Sequence, residues 1–338
     1  MITELINDIK PVPDQQTDKS DLVVTLQYLP VGLFGETVAI SALSIEWRQA
    51  ASLFGAVPCI SVVIGVIDVI IFVLLIGLYL LKIIKYPVNV KSELNNPVFG
   101  NFAGTFFISA VLIATIVVPF SLNTARVIWL IGTAGGMGFM YLLTARMFNE
   151  NINTLNALPP ILIPGLVVLN AATSGASMQL GWWGKEVDLI LFSFGIIPVF
   201  ALFVIILYRL MHRKVIDVFL QPTLLLMSAP FEVGFLAYVS QSKTIDTFGS
   251  VIFFFGLLVF AILFFKVFKK GLPFMISWWA TSFSLAALAN ASLEYAIVGH
   301  DPLLKYIAGF LLIGSSIMVA LTLCFTLNRH FSGKLLHP

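Results

Sequence analysis

Phe283, Ala287, Asn290 and Glu294 stand at steps of four, three and four residues in the stretch from Pro273 to Glu294. At 3.6 residues per turn, that spacing sets aromatic ring, methyl, amide and carboxyl in one stripe along a helix. Such a stripe has no use against lipid. Its chemistry is that of a wall past which a polar solute moves, with the Phe283 ring as the narrowest obstacle. Two further acids, Glu36 and Glu232, fall in other apolar stretches. An ionised glutamate at mid-membrane depth is costly, so each needs a proton, a partner or water. Three roles are open to these acids: neutral groups hydrogen-bonded between helices, protonatable groups coupling solute movement to protons, or charges that weaken a preference for anions.

The elements that position these residues follow from composition. The chain has 338 residues, 59% hydrophobic and only 11% charged, with a mean hydropathy of +0.99. That is far too apolar for a soluble domain. A helix of about 20 residues crosses ~30 Å of hydrocarbon. Ten apolar runs qualify: residues 26–46, 58–82, 100–121, 125–146, 160–180, 188–210, 221–240, 248–268, 273–297 and 303–327. The expected fold is therefore all-α and membrane-embedded, with ten transmembrane helices as five hairpins over residues 23–330. Residues 1–22 and 331–338 are expected to be cytoplasmic tails; the first carries five acids against Lys10 and Lys19, the wrong charge for a secretory leader. With the N-terminus inside, all but five of the 19 Lys and Arg residues are cytoplasmic, leaving Arg48, Arg126, Lys185, Lys243 and Lys305 outside. That bias places both termini in the cytoplasm.

Odd and even spans differ. The even ones are plain apolar sequence, suited to lipid. The odd ones carry helix breakers and hydroxyls: Pro30, Gly35, Thr37 and Ser41 in the first, Gly104, Thr105 and Ser109 in the third. The fifth has Pro160, Pro164, Asn170 and Ser174, and the seventh has Pro222, Thr223, Ser228 and Pro230. Breakers inside a membrane are tolerated only where protein or water satisfies the freed backbone groups. The five odd helices are thus expected to form an inner ring around a central pore. A single hydroxyl stripe also suits a dry helix interface, and the Gly132/Gly136 pair suits close packing or a subunit contact.

Other residues are less informative. Cys59 and Cys324 fall at opposite membrane faces, too far apart for a disulfide, and read as core packing residues. The four histidines lie in loops, at segment ends or in the tail, without metal-ligand spacing. Asp68 is a candidate partner for Arg126. Trp47, Trp182 and Trp183 at one face and Trp278 and Trp279 at the other read as interfacial belts. No clustered His, Asp or Cys groups suggest a membrane-embedded enzyme.

Several short motifs resemble one family. They are Leu29–Gly35 (LPVGLFG), Asn96–Phe102 (NPVFGNF), Ile163-Pro164-Gly165, Ala229-Pro230 with Gly234–Tyr238 (GFLAY), and Ser277–Ala287 (SWWATSFSLAA). In order and spacing they are similar to the tellurite-resistance/dicarboxylate transporter family, which includes the bacterial TehA proteins and the plant slow-type anion channels. The resemblance implies a quasi-fivefold bundle of hairpins, a homotrimer with one pore per subunit, and Phe283 as an occluding side chain on the ninth helix. It also aligns Phe34 with an aromatic that is a candidate to face the pore.

The expected pore-lining set is then Phe34, Thr37 and Ser41; Phe102, Thr105 and Ser109; Asn170 and Ser174; Pro230 and Glu232; and Ala287, Asn290 and Glu294, with Phe283 as the gate. No catalytic residue, metal, cofactor or nucleic-acid partner is expected. The reading is a passive channel or uniporter for small inorganic or organic anions in the bacterial inner membrane. The alternative is a proton-linked exporter of C4-dicarboxylate, sulfite or tellurite.

Overall fold

The computed structural model describes residues 26–149, 154–212, 216–269 and 271–331. The expected tail of residues 1–22 and most of the expected tail of residues 331–338 lie outside them, as do Arg213, Lys214 and Lys270. The described residues contain helices and turns and no strand. Eleven α-helices follow in order: α1 Phe34–Phe54, α2 Pro58–Lys85, α3 Pro87–Asn95, α4 Gly104–Val117, α5 Leu122–Asn149, α6 Ile163–Gly175, α7 Gly184–His212, α8 Ala229–Ser242, α9 Thr247–Phe268, α10 Trp278–Gly299 and α11 Pro302–Phe331. Eight helical segments are long and apolar enough to cross a membrane. The other two long helices, α1 and α10, have 21 and 22 residues and carry more polar side chains.

Consecutive long helices pack as hairpins: α1 with α2, α4 with α5, α6 with α7, α8 with α9 and α10 with α11. The first member of each hairpin also touches its counterparts. α1 packs on α4, α4 on α6, α6 on α8, α8 on α10, and α10 returns to α1, closing a ring of five. Burial follows this division: the apolar window of Val218–Ser242 is 83% buried, whereas that of Pro58–Lys85 is 28% buried. The outer helices present Val, Leu, Ile and Phe outward, the surface that a hydrocarbon solvent requires.

The ring helices begin irregularly. Val31–Leu33, Phe99–Ala103, Pro159–Leu162 and Val218–Met227 are 3-10 segments leading into α1, α4, α6 and α8. Pro164 and Pro230 stand in the first turns of α6 and α8, where a missing N–H costs nothing. Carbonyls at and beside these segments accept from hydroxyls of neighbouring ring elements. Thr281 Oγ1 donates to Pro222 O at 3.0 Å, Ser277 Oγ to Phe219 O at 2.6 Å, and Ser109 Oγ to Phe34 O at 3.0 Å. Protein, rather than lipid, satisfies the breaks, as a membrane interior demands.

Several expectations are corrected. α1 runs to Phe54, not 46, because Glu46, Arg48 and Gln49 all find protein partners: Ser315 Oγ donates to Glu46, Arg48 to Thr115 O, and Gln49 to Glu294. α10 starts only at Trp278, after the non-helical residues 271–277. Cys59 and Cys324 are exposed on outer helices, not core residues. Asp68 does not meet Arg126: it accepts from Ser41 Oγ, and Arg126 donates to Met178 O and Gln179 O at 2.8 and 2.5 Å. Trp279 is no interfacial anchor; it is 1% exposed and donates to Thr326 Oγ1 at 3.0 Å. Of the two readings of Gly132 and Gly136, close packing agrees with the structure: a Cβ on Gly136 would stand 2.3 Å from Val167 of α6.

Candidate functional site

Two cavities lie inside the ring, one toward each end of its helices. The larger, about 320 Å³, is walled by Ala42, Ile45 and Gln49 of α1, Asn170 and Thr173 of α6, Val233, Leu236 and Ser240 of α8, and Phe283, Ala287, Asn290 and Glu294 of α10. Each set steps by three or four residues, so each helix offers one face. The smaller, about 20 Å³, holds roughly one water. Its wall is apolar: Gly32, Gly35 and Val38, then Phe102, Thr105 and Ile108, with Leu226, Ile276, Trp279 and Ala280. Among the described residues, Phe283 alone borders both cavities. It is 5% exposed and sits between them.

Polar groups gather at the wide end of the larger cavity. Asn290 Nδ2 lies between two backbone carbonyls, Ala42 O at 3.2 Å and Ala286 O at 3.1 Å. Carbonyls only accept, so this fixes the amide orientation and leaves Oδ1 without a partner. Gln49 Nε2 donates to Glu294 Oε2 at 3.0 Å, and Gln49 Oε1 is buried and unpaired. Lys243 stands at the rim. Its backbone is left-handed (φ 57°) and closes α8 through its N–H to Val239 O. Lys243 and Glu294 thus line the same cavity.

Of the residues picked from sequence, the structure brings Phe283, Ala287, Asn290, Glu294 and Asn170 to the larger cavity, and Phe102 and Thr105 to the smaller. The others border neither. Phe34 turns away from the ring axis into an aromatic cluster with Phe72, Tyr79 and Phe106, at centroid distances of 5.9, 6.0 and 5.2 Å. Thr37 and Ser109 pair with each other across α1 and α4 at 2.7 Å. Ser41 donates to Asp68 of α2, and Ser174 accepts from Trp129 Nε1 of α5 at 3.0 Å. Pro230 and Glu232 are buried, and a Cβ on Gly256 of α9 would lie 3.6 Å from Glu232 Cγ. The hydroxyls of Thr37, Ser41 and Ser109 therefore serve helix contacts, and small or apolar residues supply most of the inner face.

Sequence reasoning missed Gln49, Lys243, Trp279 and the Gly32–Gly35–Val38 face. Gln49 is the next helical step after Ala42 and Ile45, one turn beyond the expected end of the first span. Among the described residues, no three His, Cys, Asp or Glu side chains converge as a metal-binding group.

A family model described as SLAC1, voltage-dependent anion channel, matches residues 28–327. The chain is similar to a tellurite resistance protein TehA homolog of Haemophilus influenzae, 26% identical over 310 residues, which cover 90% of this chain and 92% of the relative. It is also similar to two S-type anion channels of Arabidopsis thaliana. SLAH1 is 32% identical over 160 residues, 46% of this chain and 40% of its own length. SLAH3 is 24% identical over 325 residues, 91% of this chain and 49% of its own length. A multi-pass helical membrane protein with a closed five-helix ring, matched across residues 28–327, the chain belongs to the SLAC1 family.

Proposed function

We propose that the chain is a passive anion channel or uniporter of ten crossings, whose route follows the ring axis and is closed by the Phe283 ring. The observation that carries this reading is the position of Phe283 as the one described residue common to both cavities. A single side chain then separates a polar vestibule from a narrow apolar one, and rotating or removing it joins them. Anions need no fixed cation at mid-depth. The ring helices begin within the protein, so their positive N-terminal ends supply partial charge along the route. The relatives named as S-type anion channels support anions as the solute class. The basic residues crowd toward the end where ring helices start, which supports a cytoplasmic position for that end and for both termini, with the larger cavity outside. The bacterial relative supports an inner-membrane location. The sequence resemblance supports a homotrimer with one route per subunit.

Planar-bilayer recording under a chloride gradient tests this. Phe283→Ala should raise conductance severalfold without altering the fold. Unchanged conductance in a folded Phe283→Ala protein defeats the gate.

One observation favours the second reading, a proton-linked exporter of C4-dicarboxylate, sulfite or tellurite. Glu232 is wholly buried in a ring helix, and an acid inside a membrane segment is a candidate element of a proton pathway. Anion flux in proteoliposomes that ignores an imposed pH gradient rules the coupled reading out.

A further inference from the structure

The turn that opens α1 is held by an ion pair outside the ring. Val31–Leu33 is a 3-10 segment of three residues, and such short, poorly bonded turns are weak supports by themselves. Backbone groups at its start go to α2 and α3. Glu93 Oε1 accepts from Val31 N–H, while Lys82 Nζ donates to Leu29 O and to Glu93 Oε2, all at 2.6 Å. Charge-assisted bonds of this kind are the strong ones. The last turn of α3 also packs on a second 3-10 segment, Phe99–Ala103. There a Cβ on Gly100 would overlap the Leu94 carbonyl, and Gly100 N–H donates to Asn96 O at 2.9 Å. Leu94 directly follows Glu93, so one helical turn grips both segments.

Those two segments wall the smaller cavity. Gly32 and Phe102 both border it, and a Cβ on Gly32 would stand 3.6 Å from the Phe102 ring. At about 20 Å³ the cavity holds roughly one water, so a larger solute must push the two turns apart. We infer that Glu93 is a positioning residue for the route: through the Val31 N–H it holds the Gly32 turn against the Phe102 turn and so limits the size of the anion that passes the inner end of the ring. The inference rests on the conducting reading above and adds to it a size limit imposed from outside the ring. Glu93 and Lys82 line neither cavity, so they act only through the backbone they tether. Phe283 closes the route, and Glu93 fixes how wide its inner end becomes.

The permeability of gluconate relative to chloride, read from bi-ionic reversal potentials in the Phe283→Ala background, tests this. A reversal potential does not depend on how many folded channels are present, so a loss of stability alone leaves it in place. Glu93→Ala releases the turn and should raise the ratio severalfold. Val31→Pro removes only the N–H donor and leaves the Lys82–Glu93 pair intact. Proline suits the first position of a helical turn, and Pro30 before it is already extended, as a following proline requires. It should raise the ratio in the same way. A ratio that either folded variant leaves unchanged overturns the inference while conduction stands, and Val31→Pro decides the matter should Glu93→Ala fail to fold. Cation current, or no current from folded Phe283→Ala protein, overturns the conducting reading and this inference with it.

Discussion

The Gln49 amide donates to Glu294 Oε2 at 3.0 Å, tying α1 to α10 at the mouth of the larger cavity. The contact holds the carboxyl on the wall of a cavity that Lys243 also lines.

Glu294→Gln keeps an acceptor for Gln49 and removes the charge. Anion conductance at low ionic strength is expected to rise roughly twofold, and the gain should fade as salt shortens the Debye length below about 8 Å. Single-channel recording across a salt series checks this. A gain that persists at high salt would mean a change of shape instead of field.

At the other end of the ring, Lys82 Nζ donates to Leu29 O and to Glu93 Oε2, both at 2.6 Å, while Val31 N–H donates to Glu93 Oε1 at 2.6 Å. α2 and α3 together pin the 3-10 turn that opens α1. The pair is nearly dry, with Lys82 3% and Glu93 16% exposed. Lys82→Met strands the carboxylate and is expected to cost about 3 kcal/mol. Adding Glu93→Leu should recover part of the loss. Thermal melts in detergent read both, and strictly additive losses would show that the two residues act independently.

Phe34 and Phe283 are both buried ring-helix phenylalanines, yet they should separate cleanly. Phe34→Ala empties the cluster of Phe72, Tyr79 and Phe106 and is expected to cost about 3 kcal/mol of stability. It should leave permeability ratios alone. Phe283→Ala, which joins two existing cavities, should change conductance and lower melting less. Equal loss of stability with no change in current for either variant contradicts the assignment.

A Cβ on Gly165 would stand 1.9 Å from Val199 Cγ2 of α7. Gly165→Ala is therefore expected to destabilise the α6–α7 hairpin by about 1–3 kcal/mol. Val199→Ala in the same chain makes the space and should restore most of the melting temperature. Independent effects of the two changes would show that α6 and α7 do not approach so closely in the membrane.

The sequence by itself determined the solvent and the division of labour. Apolar runs with no polar face must meet lipid, and breaker-bearing runs must meet protein or water, which separated outer from ring helices before any contact was known. It also determined the stripe on α10, because an amide and a carboxyl at helical spacing on an otherwise small-residue face leave one orientation open. Only the tertiary structure decided which face of α1 and α4 turns inward. A serine or threonine in a membrane needs a partner, and sequence does not say whether that partner is water or the next helix. Here Ser41 reaches Asp68 and Thr37 reaches Ser109, so the hydroxyl faces close helix interfaces. The axis is left to Gly32, Gly35, Val38 and Ala42, whose small side chains leave room along it.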